Sequence, residues 1–197
     1  LLDDTNRLMV NKYWDNLEDY FKNATFNGVA VVDTSGSMTG GWNSRNSKIK
    51  PIDVAISLGM YCAEKCNKNS TWYGHYITFS RQARLISVEG VDFVDKVKRI
   101  YRQNLCENTN IKSVFDLILN LAIQNNVKQE DMPENIIVIS DMEFDSCATF
   151  NSNRYWGGDD ARETQSEMEK IAKIWEAHGY RMPKLVFWNV EARQDNI

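Results

Sequence analysis

Apolar positions recur along the chain with two periods. Residues 5 to 23 carry Leu8, Met9, Tyr13, Trp14, Leu17, Tyr20 and Phe21 at gaps of three and four. That spacing predicts an amphipathic helix, broken at Asn23 and the Asn27-Gly28 pair. Val29 to Val32 is a continuous apolar run, as in a parallel central strand buried on both faces. Pro51 suits a first helical turn, and Ile52, Ala55, Ile56, Leu58, Gly59, Cys62 and Ala63 carry that helix to about Asn67. Trp72 to Phe79 alternates like a strand, and Gln82 to Val88 predicts an antiparallel partner through a Ser80-Arg81 hairpin. Phe93 to Tyr101 and Ile111 to Asn126 repeat the helical spacing. Asn135 to Ser140 and Lys184 to Val190 are two more buried strands, separated by a helix over Arg162 to His178 that Gly179 caps.

Strands alternating with helices predict an α/β fold: a Rossmann-like three-layer sandwich with a mostly parallel central sheet flanked by helices. Such sheets bind ligands outside the carboxyl ends of their strands, where strand order reverses. Three features fall at that edge. Val29–Val32 runs into Asp33-Thr34-Ser35-Gly36-Ser37, the polar loop from Asn104 to Asn110 holds Thr109, and Asn135–Ser140 runs into Asp141.

The remaining composition narrows the reading. With 197 residues, 43% hydrophobic and 25% charged, the chain suits one soluble domain with a full core. The expected division is a flanking helix over 1–23 and a domain over 24–197. A formal charge of -4 gives no global pull toward nucleic acid or an anionic membrane. No apolar run is long enough to span a bilayer, and the first residues are not a signal peptide. The missing initiator Met and the stop just after an apolar segment suggest an excised piece of a larger protein. The four cysteines show no CxxC spacing, so free thiols in an intracellular, cytoplasmic setting are expected. His75 and His178 are far apart, which weakens zinc or His-based catalysis.

Asp33, Ser35, Ser37, Thr109 and Asp141 form an oxygen-only donor set. Two carboxylates in one cleft repel unless a cation lies between them. Hydroxyl and carboxylate oxygens select hard ions, Mg²⁺ first and then Mn²⁺ or Ca²⁺. Gly36 lets the turn curl to aim both serines at one ion. At these residues the chain resembles the von Willebrand factor A (vWA) domains. Asp33-x-Ser35-x-Ser37 at a strand end looks like their metal-ion-dependent adhesion site (MIDAS). Thr109-Asn110 before an amphipathic helix resembles the threonine loop, and Ile139-Ser140-Asp141 the third loop. The resemblance covers roughly residues 24 to 190. The segments Ser140–Asp145 and Gly179–Val190 further resemble a subgroup found in giant-virus, fungal and plant proteins, which is similar to the A-type domain of the Ro autoantigen class of RNA-binding proteins.

The resemblance implies that Ser35 and Ser37 bind the ion directly. Thr109, Asp33 and Asp141 then bind directly or through water. The open coordination position takes an Asp or Glu of a protein partner, so a binding module rather than an enzyme is expected. Two alternatives are a scaffold domain of an RNA-associated, Ro-like protein and a Mg²⁺-dependent phosphohydrolase. The second lacks the usual Asp two residues after Asp33, where Ser35 stands. Glu107-Asn108 replaces the glycine that commonly precedes the threonine. The family's last helix is also missing, and residues 5 to 23 are the segment available for its place. Glu143 and Asp145 read as a solvated acidic loop, and Arg45, Lys48, Lys50, Arg81 and Arg84 as ordinary surface charge, while Trp42, Tyr155 and Trp156 are either partner-contacting anchors or buried under their own loops. Ser35–Gly41 lacks the Gly-Lys-Ser/Thr ending of a phosphate loop.

Overall fold

Strand β1, Gly28–Asp33, is buried at every position, and the rest of the sheet is laid out from it. The computed structural model describes residues 3–21, 27–39, 49–66, 68, 70–79, 82–103, 110–141 and 159–191. On one side of β1 runs β2, His75–Phe79, parallel through Val31↔Ile77 and Val32↔Thr78. On the other runs β4, Asn135–Ser140, parallel through Val31↔Val138 and Val32↔Ile139. The edges are β3, Arg84–Ser87, antiparallel to β2, and β5, Lys184–Asn189, parallel to β4. The order β3-β2-β1-β4-β5 reverses direction between β1 and β4. This is the switch point at which doubly wound sheets present ligand sites.

Alternate side chains of the central strands feed two cores, as the two-residue period requires. Val29, Val31, Ile136 and Val138 pack against α4, Ile111–Gln124, and α5, Asp159–Ala177, through Val114, Phe115, Ile118 and Trp175. Phe115 and Trp175 meet edge to face, with centroids 6.1 Å apart. Ala30, Val32, Ile137 and Ile139 pack against α2, Pro51–Lys65, and α3, Phe93–Gln103. Each fully buried Val or Ile contributes about 1.5–3 kcal/mol. The fold is therefore the expected three-layer, Rossmann-like, vWA-like sandwich. Gly59 permits the close approach of α2, because a Cβ there would land on Val32 Cγ2.

Three expectations change. The first helix, α1, spans Asp4–Asp15 and stops well short of residue 23. The Asn16 backbone N–H and its side-chain amide both donate to the Lys12 carbonyl and end the helix. The chain beyond it lies along α2 instead. Tyr61 Oη accepts from Tyr20 N and donates to Glu18 O, at 2.8 Å each, and Phe21 packs beside the Tyr61 ring. Second, β2 begins at His75 because Tyr73 and His75 close turns onto Ser70 and Trp72, and Gly74 takes a φ of 73°. Third, β5 is not buried on both faces. It is an edge, with Val186 45% and Trp188 46% exposed.

Helix α1 docks on α3 through one acid. Asp92 Oδ2 accepts from Arg7 Nε at 2.8 Å and from Asn11 Nδ2 at 2.9 Å, while its Oδ1 accepts from Asp95 N at 2.9 Å. Trp14 stacks on Phe93 with centroids 4.3 Å apart. No helix among the described residues is long and apolar enough to cross a membrane.

Candidate metal centre

Asp33 is the last residue of β1 and is completely buried. Its carboxylate is held on both oxygens. Oδ1 accepts from Ser35 N at 2.8 Å, an Asx turn that sends the chain off the sheet. Oδ2 accepts from Ser140 Oγ at 2.6 Å, across to the end of β4. The pairing Val32↔Ile139 makes Asp33 and Ser140 the next opposed residues of that ladder. Burial pushes the Asp33 carboxyl above the usual carboxylate range, and the nearby Asp141 charge adds to that; the bonds from Ser140 and Ser35 work the other way.

After Asp33 the chain makes a short 3₁₀ turn, Ser37–Thr39, closed by Met38 N to Ser35 O and Thr39 N to Gly36 O. The turn brings the Ser35 and Ser37 hydroxyls to 3.0 Å from each other. Met38 points inward, fully buried, and its sulfur accepts from the Asp141 backbone N–H at 3.2 Å. That contact ties the first loop to the residue after β4. Asp141 itself is 5% exposed.

Four of the five expected residues, Asp33, Ser35, Ser37 and Asp141, thus come together at the switch point. Thr109 lies outside the described residues, as do Glu107, Asn108, Trp42, Glu143, Asp145, Tyr155, Trp156, Arg45, Lys48 and Arg81. Sequence reasoning missed two supporting residues, Ser140 and Met38. Ser140 directly precedes Asp141, and its signal was the parity that puts it on the Asp33 face. Met38 carried no signal beyond being a large apolar residue at the start of a polar loop.

The donor set suits a hard divalent ion: two serine hydroxyls in mutual contact, flanked by buried carboxylates, with no imidazole or thiolate. The two histidines are engaged elsewhere, His75 Nδ1 with Tyr73 O and His178 Nδ1 with Ile174 O, both at 2.8 Å. Cys62 and Cys66 are free thiols buried in and just after α2, and burial pushes Cys62 up to about 12. Among the described residues, no three His, Cys, Asp or Glu side chains are grouped closely enough to share a metal ion.

Sheet order, helical layers and polar strand ends together define a doubly wound α/β domain of the vWA-like kind. The chain belongs to the family described as a domain of unknown function, DUF7788, which matches residues 27–197. It is 33% identical over 184 residues to "Uncharacterized protein L728" of Acanthamoeba polyphaga mimivirus, an alignment covering 92% of this chain. The chain spans 28% of that relative's length. Among solved structures it is similar to the Deinococcus radiodurans RO (RSR) protein, at 17% identity and a TM-score of 0.47, over 88% of this chain and 29% of that one.

Proposed function

We propose that this domain is a divalent-cation-dependent protein-binding module. Asp33, Ser35, Ser37 and Asp141, with Thr109 from the neighbouring loop, hold Mg²⁺, or Mn²⁺ or Ca²⁺ in its place. An Asp or Glu side chain of a protein partner is the remaining ligand. The observation that carries this reading is the pair of hydroxyls, Ser35 and Ser37, 3.0 Å apart at the mouth of a buried acidic strand end. A bound ion would supply positive charge between Asp33 and Asp141 and an attachment point for a carboxylate.

The chain's own residues divide the work. Ser140 and Ser35 N fix the Asp33 carboxylate by one bond to each oxygen. Met38 holds the Asp141 backbone against the first loop. Ser35 and Ser37 are only half-buried, so the partner approaches from their side.

The test is calorimetric titration of MgCl₂ and MnCl₂ into the unmodified chain and into Asp33→Ala. Saturable binding that Asp33→Ala removes is the expected result. An unmodified chain that binds neither ion overturns the proposal. Turnover of p-nitrophenyl phosphate by the Mg²⁺-loaded protein would replace it with a phosphohydrolase reading.

A further inference from the structure

Resting on the cation reading above, a further acidic residue stands out at the same sheet edge. Glu191 follows β5, is 9% exposed, and its Oε2 has no hydrogen-bond partner among the described residues. A buried carboxylate is costly unless a donor or a cation reaches it. Its position follows from the register. Asp33 faces Ser140, and Ser140 pairs with Asn189, so one polar row crosses β1, β4 and β5. Val190 N donates to Ser140 O at 3.0 Å, which keeps the pairing going past the end of β5. Glu191 N then donates to Asn189 Oδ1 at 2.9 Å, the same turn by which Ser35 N binds Asp33 Oδ1 at 2.8 Å. Glu191 therefore stands to β5 as Ser35 stands to β1, and it lies next to the Asp141 end of β4.

Adjacent strands are about 4.8 Å apart, which puts β5 about 10 Å from β1. That is too far for Glu191 and Asp33 to grip one ion directly, in keeping with the absence of a three-acid cluster among the described residues. It is a fitting distance for a group that acts through water, and Mg²⁺ sheds its waters reluctantly. We propose that Glu191 is a positioning carboxylate of the cation site. It accepts hydrogen bonds from water carried by the ion that Asp33, Ser35, Ser37 and Asp141 hold.

The test titrates MgCl₂ alone into the full chain and into Glu191→Gln, Glu191→Asp and Asp33→Ala, with thermal unfolding of each metal-free and Mg²⁺-loaded. Outer groups of metal sites commonly carry 10–100-fold in affinity. The expected result is a roughly 10-fold weaker affinity for Glu191→Gln, partial recovery in Glu191→Asp, and a metal-free midpoint that holds or rises as a buried charge is removed. A merely structural Glu191 would instead lower the metal-free midpoint and leave the Mg²⁺-induced gain unchanged, which overturns the inference. So does wild-type affinity in Glu191→Gln while Asp33→Ala fails to bind; that outcome leaves the cation site standing. An unmodified chain that binds no Mg²⁺ overturns the inference; one that binds neither Mg²⁺ nor Mn²⁺ overturns the cation reading as well.

Discussion

Ser140 donates its hydroxyl to Asp33 at 2.6 Å across 107 residues of sequence, and both residues are completely buried. The bond joins the ends of the two strands between which the sheet reverses. A hydrogen bond to a charged group is worth about 1.5–3 kcal/mol. Ser140→Ala leaves Asp33 Oδ2 without that donor. Chemical denaturation of the metal-free protein is expected to show a loss of about 2 kcal/mol.

Ser35 and Ser37 should separate stability from ion binding. Their hydroxyls touch each other and are half-buried, so neither holds the core. Ser35→Ala and Ser37→Ala are expected to stay within about 0.5 kcal/mol of the unmodified protein without metal. The proposed cation site predicts that Mg²⁺ raises the melting temperature of the unmodified protein and that each variant loses most of that rise. A shift retained by both variants would remove the serines from the ligand set.

Asp92 gives α1 a dependence on acid. The Arg7 guanidinium, chiefly through its hydrogen bond, holds this carboxyl at about 2, and the Asp95 N–H and Asn11 help. The shift is downward, so docking is favoured most above the ordinary carboxylate range near 3.8 and fades as pH falls toward 2. On acidification, α1 should lift from α3 as Asp92 takes up its proton. The Trp14–Phe93 stack reports this, measured as the fluorescence difference between the unmodified protein and Trp14→Phe. Asp92→Asn should show the lifted signal already at pH 7.

Gly59→Ala tests the closeness of α2. Alanine favours a helix interior over glycine by about 1 kcal/mol, but its Cβ would meet Val32 Cγ2 inside van der Waals contact. Overpacking of this kind costs about 1–3 kcal/mol, so net destabilisation is expected. In the double variant with Val32→Ala, the two penalties should add to less than their sum. Full additivity in denaturant unfolding would show that the helix moves aside instead.

The parts of this molecule that the sequence announces are those whose neighbours do not matter. A run such as Val29–Val32 must be buried whichever strands flank it, and Asp33 at its end must then stand at the sheet edge. The same logic places Ser35, Ser37 and Asp141. Where neighbours decide, the pattern is silent. Lys184–Val190 looks as apolar as β1, yet the arrangement leaves it at an edge with Val186 and Trp188 exposed. The helical spacing of Leu17, Tyr20 and Phe21 continues that of α1, but Asn16 captures the Lys12 carbonyl, and Tyr20 and Phe21 reach Tyr61 without a helix. Ser140 and Met38 gain their roles from partners about a hundred residues away.

The placing of β1 between β2 and β4 also dictates when the site comes into being. A chain emerging from the ribosome can pair β1 with β2 once the crossover through α2 has been made. Asp33 gains its Ser140 partner only after β4 has been made and docked. Pairings so distant in sequence are slow, because the intervening chain must be closed into a loop first. Until then one edge of β1 has its backbone N–H and C=O groups unpaired, on a strand whose side chains are apolar up to Asp33. Asp33 and Ser140 therefore meet only in a chain that has paired β1 with β4, and the polar cluster at this sheet edge is a property of the assembled sheet rather than of any one segment.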